Sequence, residues 1–143
     1  MALSRDGRSL LTNVSFRFPV IHLWNIEENQ LEGSYFGHKQ ERFEVECTFG
    51  GGYTEPYVIS GSEDARIFIW SKMTRELIKT VAGHVGTINS IQWHPAHHNL
   101  CVSGKRRVIE VSDDQTVRFW GSENEWKEQA DLMNKTSLHA LES

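Results

Sequence analysis

One phrase occurs twice in this chain and sets most of what it can fold into. A Gly-His pair leads to a Ser, an Asp stands four residues after the Ser, and a Trp six residues after the Asp. The first copy is Gly37-His38, Ser60, Asp64 and Trp70, within ISGSEDARIFIW. The second is Gly83-His84, Asp114 and Trp120, within VSDDQTVRFW. The two Gly-His pairs lie 46 residues apart and the two Trp 50 apart. Self-similarity at such a period marks a small unit that cannot bury its apolar faces alone and needs stacked neighbours. A chain built this way is a scaffold, suited to binding rather than catalysis.

Its 143 residues leave room for about three such units. A formal charge of -4 argues against a general nucleic-acid grip, which needs a basic excess. Lys105-Arg106-Arg107 is the one basic cluster and reads as a solvated loop. Cys47 and Cys101 have no nearby partner, no signal-like start precedes them, and no apolar run approaches a membrane span. These features point to a reduced intracellular compartment, cytoplasmic with the nucleus also open, and to no membrane partner.

Short β-rich runs recur between Gly, Asp, Asn and Pro, with no long helical period. Strands are expected at 10–14, 20–24 and 31–36 in a first unit, and at 43–49, 57–60, 66–70 and 77–81 in a second. A third unit takes 87–93, 100–103, 116–120 and, as an option, 108–111. Glu63-Asp64 and Asp113-Asp114 fall at hairpin turns. In the 66–70 strand one face carries Ile67 and Ile69 and the other Phe68 and Trp70, as a strand between two neighbours requires. After Gly121 the pattern stops, and 122–143 reads as a polar, flexible tail.

These residues resemble WD40 repeats. The implied fold is all-β, a partial WD40 β-propeller of about three four-stranded blades with a polar C-terminal tail. Its units are 1–36, 37–82 and 83–121. In that family the His, Ser, Asp and Trp form one buried structural tetrad, here His38, Ser60, Asp64 and Trp70. The chemistry suits each member: an indole only donates, a hydroxyl does both, a neutral imidazole does both, and a carboxylate accepts. The same residue types could make a Ser-His-Asp triad. That reading lacks an elbow around the Ser and an oxyanion hole, so no catalytic residue is assigned.

The first unit is degenerate and opens part-way through its first strand. Ten and six positions before Trp24 stand Val14 and Phe18. The third unit is interrupted. Removing Lys105 to Val111 restores Ser-Gly-Ser-Asp-Asp and brings Ser103 into line with His84, Asp114 and Trp120 as a degraded tetrad. Residues 105–111 therefore read as an insertion. Either 100–103 keeps its place as the strand before the hairpin, or 108–111 replaces it; pairing close to the tight turn favours the replacement.

A closer resemblance rests on IHLWNIE (21–27), GHK (37–39), Arg42-Phe43, CTFGG (47–51) and SGSED (60–64). These are similar to the C-terminal blades of the WD-repeat subunit of GID/CTLH ubiquitin ligases, over about residues 1–121. The resemblance implies a non-catalytic substrate-receptor or assembly subunit that promotes proteasomal degradation, with ligase subunits and substrates as protein partners. The LisH and CTLH helices that mediate assembly in that family are not among these residues. A generic WD40 scaffold in signalling or trafficking is the alternative. None of Trp24-Asn25, Trp70-Ser71 or Trp120-Gly121 supplies the WDxR box of cullin-4 receptors. His94, His97 and His98 lack further ligands for a metal site, and Gly50-Gly51-Gly52 lacks the Lys of a phosphate loop. No cofactor and no metal are expected. A few blades without closure leave exposed strand edges, which favours self-association.

Overall fold

The computed structural model describes residues 1–15, 17–82, 84–93, 101–104 and 117–120, the last two segments through their backbone. Among the described residues eleven strands lie in three antiparallel sheets. Sheet 1 comprises β1 (Ala2–Leu3), β2 (Ser9–Val14), β3 (Val20–Asn25) and β4 (Gln30–Tyr35), side by side in chain order. Sheet 2 repeats that meander with β5 (Cys47–Gly50), β6 (Tyr57–Ser60), β7 (Arg66–Ser71) and β8 (Leu77–Ala82). Sheet 3 has β9 (Ser90–Trp93), β10 (Cys101–Gly104) and β11 (Val117–Trp120), with β10 in the middle. Each sheet therefore grows by adjacent hairpins, which need only short connections.

Period-two alternation sends side chains of sheet 2 both ways. Val58, Phe68 and Trp70 join Leu11, Ile21, Leu23 and Tyr35 of sheet 1 in one buried cluster. Ile59 and Ile67 join Ile88 and Ile91 in a second, with Ile69, Val81 and Trp93 packed against it. Sheet 2 is thus apolar on both faces because it is covered on both, as the alternation around Phe68 requires. Two glycines allow the second contact to close. A Cβ on Gly50 would run into the Trp93 indole, and one on Gly61 into the Ile88 carbonyl oxygen. Gly51, at φ 97°, opens a 3-10 turn at Gly52–Thr54.

In the third sheet the strand before the hairpin is Cys101–Gly104, not 108–111. It pairs with β9 on one side and β11 on the other, with Ser103 opposite both Ile91 and Arg118. The favoured replacement is corrected on this point. Proximity to the turn had argued for 108–111, but closing a longer loop adds little entropy cost, since that cost grows only with the logarithm of length. Keeping Cys101–Gly104 also avoids setting Glu110 at a buried position. Five residues separate Ser60 from Arg66 in sheet 2, and twelve separate Gly104 from Val117 in sheet 3. The excess is seven, the length of the segment 105–111. Asp114, the three histidines of the 94–98 segment and the tail 122–143 lie outside the described residues.

Candidate functional site

The four tetrad residues of sheet 2 meet in one region, but they bond to other partners. Trp70 is buried, and its indole Nε1 donates to the Phe36 carbonyl at 3.1 Å rather than to Ser60. Ser60 is fully buried and sets its hydroxyl 2.9 Å from the Gly61 carbonyl and 3.4 Å from that of Glu46. His38 stands edge-on to Trp70, ring centroids 6.0 Å apart, with Nε2 at 3.3 Å from the Asn13 Oδ1 of sheet 1. His38 Nδ1 and Asp64 Oδ1 are both buried without a hydrogen-bond partner. A linear relay from indole to carboxylate is therefore not the arrangement found. Ser60 and His38 are not paired as nucleophile and base either.

Burial pushes the His38 imidazole below its ordinary value of 6.5, against the upward pull of the Gln40 side chain and the Asp64 charge. The sign follows from linkage. A folded pKa below the unfolded one means that the unfolded chain binds the extra proton more readily. Stability from a neutral His38 is fully present above 6.5 and is lost as pH falls through the lower folded value. Thermal unfolding should therefore move to lower temperature below pH 6.5, and a His38→Gln variant should show a flatter profile across that window. Calorimetry or circular dichroism across pH checks it; an unchanged slope in the variant would exclude His38 as the group responsible.

A hydroxyl–indole pair does form in sheet 1, which spacing alone marked as degenerate. Trp24 Nε1 donates to Thr12 Oγ1 at 3.0 Å. Register explains it. Leu10 sits opposite Trp24 and Thr12 opposite His22, as Val58 sits opposite Trp70 and Ser60 opposite Phe68. Cys101 opposite Trp120 and Ser103 opposite Arg118 repeat the pattern in sheet 3. Thr12, Ser60 and Ser103 are thus equivalent positions, hidden in the sequence because the three hairpins differ in length. His84 is described and half-buried, while the side chains of Ser103 and Trp120 are not described.

The densest polar construction is the segment 37–46 that joins sheet 1 to sheet 2. One Glu63 carboxylate oxygen accepts three successive backbone N–H groups, from Glu41, Arg42 and Phe43, at 2.7, 2.7 and 2.9 Å. Burial raises the Glu63 pKa, but those three donors outweigh it and hold the carboxyl below its ordinary value. Ser62 Oγ accepts from the Lys39 N–H at 2.9 Å. Asn13 and Asn89 donate their side-chain amides to the carbonyls of Val45 and Glu44, at 2.8 and 3.1 Å. Ser90 Oγ donates to the Glu46 carboxylate at 2.6 Å. One connecting segment is therefore held from all three sheets. Sequence reasoning missed Glu63, Ser62 and Asn89 in this role because their partners lie more than twenty positions away or on the backbone.

On the outer rim, between sheets 1 and 2, an open cleft of about 570 Å³ is lined by Leu23, Glu32, Glu55, Lys72, Met73 and Arg75. It mixes both charges with apolar surface. Among the described residues no three His, Cys, Asp or Glu side chains gather as a metal site, and no helix is long and apolar enough to cross a membrane.

A family described as WD domain, G-beta repeat matches residues 75–121, a span that runs from the turn before β8 to just past β11. The chain is a WD40-repeat protein. Among curated relatives of this WD40 chain is a WD repeat-containing protein 26 homolog from Arabidopsis thaliana, 37% identical over 121 residues, 84% of this chain and 19% of that protein. A Drosophila melanogaster protein of the same description is 39% identical over 120 residues, 84% of this chain and 18% of its own length. GID complex subunit 7 of Schizosaccharomyces pombe is 33% identical over 124 residues, 87% of this chain and 22% of that protein. The WD40 chain thus spans about a fifth of the length of these relatives. The solved structure titled U3-55K superposes with a TM-score of 0.66 at 22% identity, over 87% of this chain and 34% of that one. That likeness carries the fold alone, a partial propeller whose usual use is as a protein-interaction scaffold.

Proposed function

We propose that this WD40 chain acts as a non-catalytic scaffold in a ubiquitin ligase of the GID/CTLH type, where it holds ligase subunits or substrates destined for proteasomal degradation. The reading is supported most by the match to a protein named GID complex subunit 7 across 87% of the chain. It is also supported by the loop that carries the family resemblance. Arg42-Phe43 and the CTFGG strand lie where Glu63, Asn13 and Asn89 tie three sheets together. Conformational entropy makes a floppy scaffold a poor binder, and a connecting segment fixed at this many points loses little on docking. The work is assigned to the cytoplasm and nucleus, with no cofactor.

Affinity capture of the tagged chain from cells, with mass spectrometry of what it retains, tests the proposal. RING- and CTLH-domain ligase subunits should be recovered with the wild type and lost with an unfolded Trp70→Ala control. A clean capture without them would contradict the ligase reading and leave a WD40 scaffold of some other pathway.

A further inference from the structure

Two outer turns of this chain are built alike. In sheet 1 the turn 26–29 joins β3 to β4, and the Glu28 N–H donates to Asn25 Oδ1 at 3.1 Å. In sheet 2 the turn 72–76 joins β7 to β8, and the Thr74 N–H donates to Ser71 Oγ at 3.2 Å. Asn25 pairs with Gln30, and the Ser71 N–H donates to the Glu76 carbonyl, so Asn29 and Arg75 hold the same position. Both take left-handed backbone, at φ 52° and 65°. Asn tolerates that conformation because its short side chain bonds locally, whereas a long side chain such as Arg gains nothing there. An ill-suited residue at such a position points to a use for its side chain.

The Arg75 side chain leaves its own sheet, and its Nη2 donates to the Glu32 carbonyl of sheet 1. Glu32 is an extra residue in β4: Leu23 faces Gly33 while Trp24 faces Leu31, and a residue bulged in this way drops out of strand pairing. Gly33 follows it, and a Cβ there would strike Arg75 Nε and Cδ. Glycine thus opens the path of the guanidinium across the strand. The same turn has a second tie to sheet 1, the Tyr35 hydroxyl donating to the Lys72 carbonyl at 3.1 Å. Glu32, Lys72, Met73 and Arg75 all line the rim cleft.

We infer that Arg75 is a releasable clasp between sheets 1 and 2 that sets the width of the rim cleft. Clasped, the guanidinium holds the 72–76 turn against β4. Its bond is exposed, so water competes for both partners and release is easy, while Tyr35 is buried and keeps its hold. Released, the turn pivots about the Tyr35 bond and the cleft widens beside Met73.

NMR of the full chain tests this, with proton exchange at the Arg75 guanidinium reading the clasp and the Met73 methyl signal reading the cleft. Gly33→Ala should evict the guanidinium, speed its exchange about tenfold and move the Met73 signal. Arg75→Asn, suited to the turn, should move that signal to the same place. The double variant should match either single one, because both remove one contact. Methyl signals of Ile88 and Ile91 in the second cluster should stay where they are. A Gly33→Ala chain whose Arg75 exchanges as in the wild type would overturn the inference, as would single variants whose effects on Met73 add. Should Gly33→Ala lose its sheet dichroism, Arg75→Asn decides alone, and a Met73 signal left at its wild-type position would then overturn the inference.

Discussion

Replacing Trp70 with Ala is expected to remove about 3–5 kcal/mol, enough to leave the chain largely unfolded when a whole domain is stable by only about 5–15 kcal/mol. Among the described residues the indole is the largest fully buried side chain, and it stacks on Phe68 at 5.7 Å and tilts against Tyr35 at 5.9 Å. It is also the edge partner of His38 and the donor to the Phe36 carbonyl. Truncation therefore opens a cavity between sheets 1 and 2 and leaves a carbonyl without its donor. Trp70→Phe keeps most of the apolar volume and loses the hydrogen bond, which should cost about 1–2 kcal/mol. Urea unfolding measures both. A Trp70→Ala midpoint within error of the wild type would show that the first cluster does not hold the sheets together.

Gly61→Val acts at the other contact. A Cβ at position 61 meets the Ile88 carbonyl oxygen, which is backbone and cannot swing aside as a side chain can. That backbone is anchored, since the Ile88 N–H donates to the Ser62 carbonyl at 3.0 Å and the Glu46 N–H to that of Asn89 at 2.8 Å. Relief requires sheet 3 to move off sheet 2, at an overpacking cost of about 1–3 kcal/mol. The damage should be local. Hydrogen exchange should quicken at Ile88, Ile91 and their neighbours, while Ile21, Leu23 and Tyr35 in the first cluster keep their protection. Equal loss at both clusters would mean that the three sheets melt as one unit.

Much of this arrangement is legible in the sequence. Alternation in 66–70 assigned Ile67 and Phe68 to opposite faces, and the two clusters divide them that way. The strand order along the chain follows from turn residues and period, though the strand expected at 43–49 lies at Cys47–Gly50 and that at 87–93 shortens to Ser90–Trp93. What stayed hidden depends on register rather than on spacing. Thr12 escaped notice because counting back from Trp24 assumes a fixed hairpin length, whereas pairing across the strands does not. The bonding around Trp70 was hidden for another reason. Residue types fix which groups can donate or accept, but the Phe36, Gly61 and Glu46 carbonyls compete for those donors, and backbone carries no residue-type signal.

A shared register across three sheets underlies the whole arrangement, and deleting residues 105–111 tests it most directly. The shortened chain reads Ser-Gly-Ser-Asp-Asp after Val102, matching Ser60-Gly61-Ser62-Glu63-Asp64, and its last hairpin has the five-residue connection of sheet 2. If Cys101–Gly104 is the central strand, the deletion removes loop alone, and stability should hold or rise by about 0.8 kcal/mol from the smaller closure entropy. Amides of Cys101–Gly104 should keep their exchange protection. Loss of the β-sheet signal, or a collapsed unfolding midpoint, would contradict this and assign the strand to the deleted residues.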